Sequence, residues 1–295
     1  MPMIEEKLDR TIVSQAWLDR IAEPLQQIVS DVLRPGPLGT PLRDLLNGNF
    51  LGHPLHPALT DVPIGSWTFA FLADTLDSLP GGRRLRPGAT LAVGLGIAGA
   101  LGSALSGLAD WSYTDGNTRR LGVTHGLLNI VATALYGGSL ALRLRGRHAT
   151  ARGLASAGYG IVLFSSYLGG ELVYRCGLGV DHATFEPTVS DFTDALPEGG
   201  LPEGQMRRAM VSGVPILLTR YLGQIYAMGD TCTHLGCSLS EGRLDGDVVT
   251  CPCHDSQFRV TDGAAVRGPA SFPEVRFDTR VNDGMIQVRS TAPTC

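Results

Sequence analysis

What this 295-residue chain lacks narrows its function before any motif is read. Residues 1–50 contain no apolar run of the kind that forms the core of a secretory signal, so insertion into a membrane is left to segments further along. Basic runs are also missing and the formal net charge is −4, which argues against nucleic acid as a partner. From Gly88 to Leu108 there is no charged residue at all. The polar face that a soluble amphipathic helix shows is hardly present in the later apolar segments, so a buried soluble bundle is the weaker reading of them.

What is present in the middle of the chain is four apolar segments long enough to cross a bilayer. They run from Leu55 to Leu79, Gly88 to Leu108, Val123 to Leu142 and Gly153 to Tyr174. In the second, Gly94, Ala98, Gly102 and Ser106 recur every four residues and form a small-residue ridge for close helix packing. The mean hydropathy of +0.10 therefore averages a very apolar middle with a polar last third. Before the first segment, Trp17, Ile21, Leu25, Ile28 and Val32 line one side of a predicted helix over residues 14–33, with Pro24 as a kink. That side suits either the membrane surface or the helical bundle.

The polar last third carries the chemistry. It reads Cys232-Thr-His234-Leu-Gly-Cys237 and then Cys251-Pro-Cys253-His254-Asp-Ser256. A 2Fe-2S centre with two thiolates on one iron and two neutral imidazoles on the other needs one Cys and one His from each of two loops. Cys232 with His234, and Cys251 with His254, meet that need. A Cys/His zinc tetrahedron is the competing reading, but it has no use for the further cysteines Cys237 and Cys253, one in each loop.

The two boxes resemble those of the Rieske iron–sulfur proteins of cytochrome bc complexes, over about residues 201–289. Leu201 to Gly204 and Gly268 to Ala270 fit the same family. The resemblance implies a disulfide between Cys237 and Cys253 that ties the two cluster loops together. It also marks departures: the bc-type pattern has Gly where Asp255 stands and Tyr where Phe258 stands. From Gly52 onward, His53-Pro-Leu-His56-Pro resembles the opening of a bacterial family of four-span membrane domains without assigned activity, and the match extends to His182.

These readings give a multi-domain chain, an all-α four-helix transmembrane bundle followed by an all-β Rieske domain. The expected divisions are an interfacial segment over 1–50, the bundle over 51–180, a linker over 181–200 and the Rieske domain over 201–295. Short β-type runs are expected at Pro215–Thr219, Gln224–Met228, Val248–Thr250, Glu274–Val281 and Met285–Arg289. An even number of spans places both termini on one side of the membrane. Seven Arg in the first and third loops (Arg83, Arg84, Arg86, Arg143, Arg145, Arg147, Arg152) against five on the other side favour an extracytoplasmic Rieske domain in a multi-pass protein of the cell membrane. A disulfide agrees with that compartment. Cys176 and Cys295 read as lone thiols.

Several polar side chains cluster toward the Rieske side of the spans: His53, His56, Asp61, Asp110 and His125, with Asn129 one turn beyond His125. At membrane depth such groups are expensive and face a cavity, a partner or a bound group. A haem b, a quinone or a metal site, with His56 facing His125 and His53 as alternate ligand, stands against a plain interfacial reading. The function that follows is a membrane-embedded carrier of single electrons to or from a redox partner protein or the quinone pool. A quinol-oxidising reductase component and a non-catalytic redox sensor are the alternatives. No room remains after the linker for the two-His, one-carboxylate iron domain of an oxygenase.

Overall fold

The computed structural model describes residues 11–78 and 85–291. Arg83, Arg84, Leu79 and Cys295 lie outside the described residues. The chain forms two compact units: residues 1–40 with 55–178, and residues 41–54 with 179–295.

The first unit is helical. Its elements are α1 (Asp19–Val32), the start of α2 (Gly39–Asn47), α3 (Leu55–Asp77), α4 (Arg86–Trp111), α5 (Gly116–Leu144) and α6 (His148–Tyr174). The helix over the first predicted span ends at Asp77, before Ser78, and the other three predicted spans each fall within one long helix. Arg86–Trp111 and Gly116–Leu144 are long and apolar enough to cross a membrane. Large apolar side chains such as Phe69, Leu72, Leu91, Leu101, Leu105, Ile130 and Leu163 are exposed on the outer faces of the helices. Small residues fill the inside: Ala70, Ala89, Ser106, Ala109, Ala132, Ser139, Ala151 and Ser165 are buried, so the backbones approach closely.

The four long helices are two copies of one hairpin. Adding 69 to a position in α3 gives its counterpart in α5, and adding 62 to a position in α4 gives its counterpart in α6; the offsets differ because the α3–α4 connection is longer. The buried positions obey the rule: Ala89 and Ala151, Val93 and Ala155, Gly96 and Gly158, Ser103 and Ser165, Ser106 and Leu168. Counterparts meet across the bundle. Trp67 stacks on Tyr136 with ring centroids 4.0 Å apart and planes 7° from parallel. Asp74 takes a two-pronged ion pair from Arg143, Nη1 donating to Oδ1 at 3.0 Å and Nη2 to Oδ2. These pairs mark a pseudo-twofold axis running along the helices between α3 and α5. At the same end as the Asp74 pair, Asp77 accepts from Arg86 and Arg152, each at 2.9 Å.

Helix α1 settles the choice left open by its apolar pattern. Leu18 and Ala22 pack against Trp111 and Val123 of the bundle. Asp19 takes Arg120 at 2.6 Å and Arg119 at 3.0 Å, and Gln26 Nε2 donates to the carbonyls of Trp111 and Thr114. Trp17, Ile21, Ile28 and Val32 stay exposed on another face. The helix therefore uses a narrower strip than the predicted side for the bundle and leaves most of that side outward.

The second unit is built on two antiparallel sheets. The larger has the order β1-β10-β9-β4-β3-β2, from β1 (Thr193–Pro197), β10 (Met285–Ser290), β9 (Arg276–Asn282), β4 (Gln224–Gly229), β3 (Val214–Tyr221) and β2 (Met206–Val211). The smaller has β5 (Arg243–Asp245), β6 (Val248–Thr250), β7 (Gln257–Arg259) and β8 (Ala265–Arg267) in sequence order. Strand β3 is buried on both faces, so its side chains alternate between two cores. Ile216 and Leu218 join Val211, Phe277 and Ile286, while Leu217 joins Met228, Val249 and Phe258.

Two expected boundaries are corrected. Residues 193–197 of the predicted linker are strand β1, paired with β10 at the sheet edge. Residues 41–54, expected to divide between the N-terminal segment and the bundle, fold with the β unit. Asp44 Oδ1 accepts from Gly268 N at 3.0 Å and Asn49 Nδ2 donates to Ala270 O at 2.7 Å.

Candidate iron–sulfur site

Two loops of the β unit carry the cysteines and histidines, one between β4 and β5 and one between β6 and β7. They have the same backbone. In the first, Cys232 N donates to Cys237 O and Gly236 N donates back to Cys232 O, both at 2.8 Å. In the second, Cys251 N donates to Ser256 O at 2.8 Å and Asp255 N to Cys251 O at 3.2 Å. The fifth residue of each turn is left-handed, Gly236 at φ 78° and Asp255 at φ 60°. Glycine is the usual occupant of that conformation, and Asp is among the few others that tolerate it.

This shared turn buries the first residue of each box and brings the histidines nearer the surface. Cys232 and Cys251 are almost fully buried, His234 and His254 only partly. The imidazoles lie edge to face, 5.0 Å between centroids and 84° between planes. The Cys232 thiol donates a hydrogen bond to Cys251 sulfur, which raises the Cys232 pKa and holds Cys251 below the ordinary thiol range. Burial, with His254 and His182 nearby, pushes His234 down to about 3, so the ring is neutral at physiological pH. Two sulfurs in contact and two imidazoles, one of each from each loop, are a donor set that fits a 2Fe-2S cluster of mixed ligation.

Cys237 and Cys253 form a disulfide, Cα–Cα 6.5 Å, that joins the two loops. Neighbours that the sequence did not single out hold the first loop from behind. Glu274, wholly buried, accepts from Thr233 N at 2.9 Å through Oε1. Burial pushes its carboxyl well above the usual range. His182 N donates to Thr233 O at 3.1 Å, and Thr231 Oγ1 donates to Glu186. In the second loop Ser256 Oγ accepts from Ala270 N at 3.0 Å, which leaves the hydroxyl proton available. Phe258 is fully buried beside Cys232 and Cys251.

A Rieske [2Fe-2S] domain model matches residues 192–280. Ferredoxin CarAc of Metapseudomonas resinovorans is 42% identical over 86 residues, 29% of this chain and 80% of the ferredoxin. The chain belongs to the Rieske [2Fe-2S] family. The 3-phenylpropionate/cinnamic acid dioxygenase ferredoxin subunit of Escherichia coli is 38% identical over 93 residues and 87% covered. Among solved structures, a chain of the complex of reduced oxygenase and oxidised ferredoxin in carbazole 1,9a-dioxygenase is 36% identical, with 33% of this chain and 92% of that chain covered and a TM-score of 0.32. Residues 52–182, ahead of the Rieske segment, match a model described as a predicted membrane protein, DUF2231. The Rieske ferredoxins above correspond to less than a third of the chain, so the helical unit is an addition to what they contain.

The polar residues of the helical unit are distributed differently from the expectation. His53 belongs to the β unit, its ring edge-on to Phe272 at 6.2 Å, because left-handed Gly52 and Pro54 separate it from the start of α3. Asp61 is exposed on α3 and Asp110 is half-buried at the end of α4. His56 and His125 are brought into electrostatic reach of one another.

Proposed function

We propose that this Rieske protein is a membrane-anchored carrier of single electrons, serving a redox partner protein. Cys232 and Cys251 hold the inner iron of the cluster and His234 and His254 the outer one. The bound cluster supplies a one-electron couple. Around it the protein's own groups have separate tasks: the buried cysteines exclude water, Thr233 and Glu274 hold the first loop, Ser256 offers a hydroxyl proton toward the second, and the partly exposed imidazole edges form the side a partner can approach. The observation that carries this reading is the repeated loop, which sets one buried thiol and one half-exposed imidazole in each copy.

The partner class we favour is an oxygenase-type protein, since the similar ferredoxin of Escherichia coli is named as a subunit of a dioxygenase. The four long helices cross the membrane in this reading, supported by their exposed apolar faces, and the Rieske unit is extracytoplasmic, supported by the arginine asymmetry and the disulfide.

The experiment is spectroscopic and topological together. Detergent-purified full chain, reduced with dithionite, should show the low-field Rieske EPR signal. It should also lose one electron per chain to an oxidised Rieske oxygenase. Protease added to intact spheroplasts should cut the Rieske unit. Zinc in place of iron would remove the carrier reading, and cleavage only in inverted vesicles would reverse the orientation.

A further inference from the structure

The hairpin repeat makes two histidines counterparts across its axis. His56 and His125 are counterparts at the 69-residue offset, as are the touching pairs Trp67 with Tyr136 and Asp74 with Arg143. They lie eleven residues before the aromatic pair, about 16 Å along the helices. Each ring is fixed in the same way by the helix that follows in its hairpin. His56 Nδ1 faces Ser103 O at 2.8 Å and His125 Nδ1 faces Ser165 O at 2.8 Å, and Ser103 and Ser165 are counterparts too. A carbonyl oxygen only accepts, so both Nδ1 atoms carry the proton and, in the neutral ring, both Nε2 atoms keep a lone pair. The rings lie over glycines at matched positions. A Cβ on Gly107 would come within 2.7 Å of the His56 ring and one on Gly169 within 3.3 Å of the His125 ring.

The geometry points to an axial-ligand pair for a haem iron, His56 Nε2 on one side and His125 Nε2 on the other. Backbone carbonyls that hold the distal ring nitrogen are the arrangement by which metal-binding histidines are oriented. Among the described residues, the only group of three or more His, Cys, Asp or Glu donors close enough to share an ion is Cys237, Cys251 and Cys253. No third donor of these kinds completes a protein-only site at His56 and His125. Porphyrin supplies four of the six ligands of its iron, so two imidazoles suffice. Duplication explains the symmetry of such a site, since one hairpin contributes one imidazole and its repeat contributes the other. Asn129 Nδ2 donates to His125 Nε2 at 3.0 Å, so it occupies the lone pair that iron would take and must swing aside on binding.

Haemin titrated into the detergent-purified full chain tests the site independently of the Rieske cluster, whose EPR signal is followed in the same samples. One equivalent should bind and give a low-spin, bis-imidazole spectrum. His56→Asn and His125→Asn retain a side-chain N–H toward the Ser103 or Ser165 carbonyl but remove Nε2. Each should weaken haemin binding at least tenfold or convert the haem to high spin, with the helical melting transition in place. Asn129→Ala should bind at least as tightly as the wild type, and His148→Ala, at the opposite end of the bundle, should bind equally. Absence of saturable haemin binding to the wild type would overturn the proposal. So would a spectrum and affinity that neither Asn substitution alters.

Discussion

The two units keep polar groups in their interiors by opposite means. In the Rieske unit the buried donors belong to loops, and their positions depend on a few cross-links: the disulfide, the Glu274 bond to Thr233 and the Ser256 bond from Ala270. In the bundle the polar groups belong to long helices and are matched across a pseudo-twofold axis, His to His, aromatic to aromatic, acid to base. A loop can present a reactive edge to a partner because little else depends on its exact path. A charged residue on the axis cannot be removed without stranding its counterpart. Substitutions of the cluster ligands should therefore act on the cluster, and breaking the Asp74–Arg143 pair should act on the stability of the bundle.

The largest effect is expected in the loops. His234→Ala or His254→Ala should abolish the Rieske EPR signal while the helical melting transition in detergent stays where it was. A simultaneous loss of both would break the division. Next is Asp74→Ala, which strands the Arg143 guanidinium inside the bundle and should cost about 3–5 kcal/mol by denaturant titration, with the EPR signal intact. Exchanging the two residues, Asp74→Arg with Arg143→Asp, should recover most of that loss because the axis relates their positions.

Intermediate in size is Cys237→Ser with Cys253→Ser. The cluster still assembles on four unchanged side chains, but two loops now depend on it alone. Its half-life in air should fall several-fold, read by loss of visible absorbance, with unfolding stability down by about 3 kcal/mol for a loop of this length. Phe258→Tyr should raise the midpoint potential by about 60 mV, one factor of ten for a one-electron couple, since a hydroxyl beside the cysteines stabilises the added negative charge. The smallest change is Asp255→Gly. The residue stands at φ 60° where the sister loop has Gly236, so the substitution should stabilise the unit by about 0.5 kcal/mol in a thermal melt.

The sequence was most legible where chemistry requires residue types at fixed spacing. The Cys/His boxes could be read directly, and the disulfide followed from the resemblance they carry. Strands β3, β4, β6, β9 and β10 stood out because their apolar residues alternate or run together. Strand β1 did not, since Thr-Asp-Ala-Leu-Pro has no such pattern and takes its strand form from pairing with β10. Glu274 was invisible as a support of the first loop because its partner Thr233 is 41 residues away. The hairpin repeat was present in the sequence as His56 and His125 with Trp67 and Tyr136 at one offset. Small and apolar residues dominate the rest of both copies, and at so few distinctive positions the similarity is weak until the helices show which residues meet.

Residues 41–54 leave the ribosome before the bundle, yet they close against Gly268 and Ala270, which leave it more than two hundred residues later. The β unit is thus discontinuous in time as well as in sequence, and its last contacts form only after every long helix has been synthesised. A fragment beginning at residue 179 would carry both cluster loops but lack Asp44 and Asn49 beneath the 268–270 segment. The order of translation puts the synthesis of the whole helical unit between the two halves of these contacts.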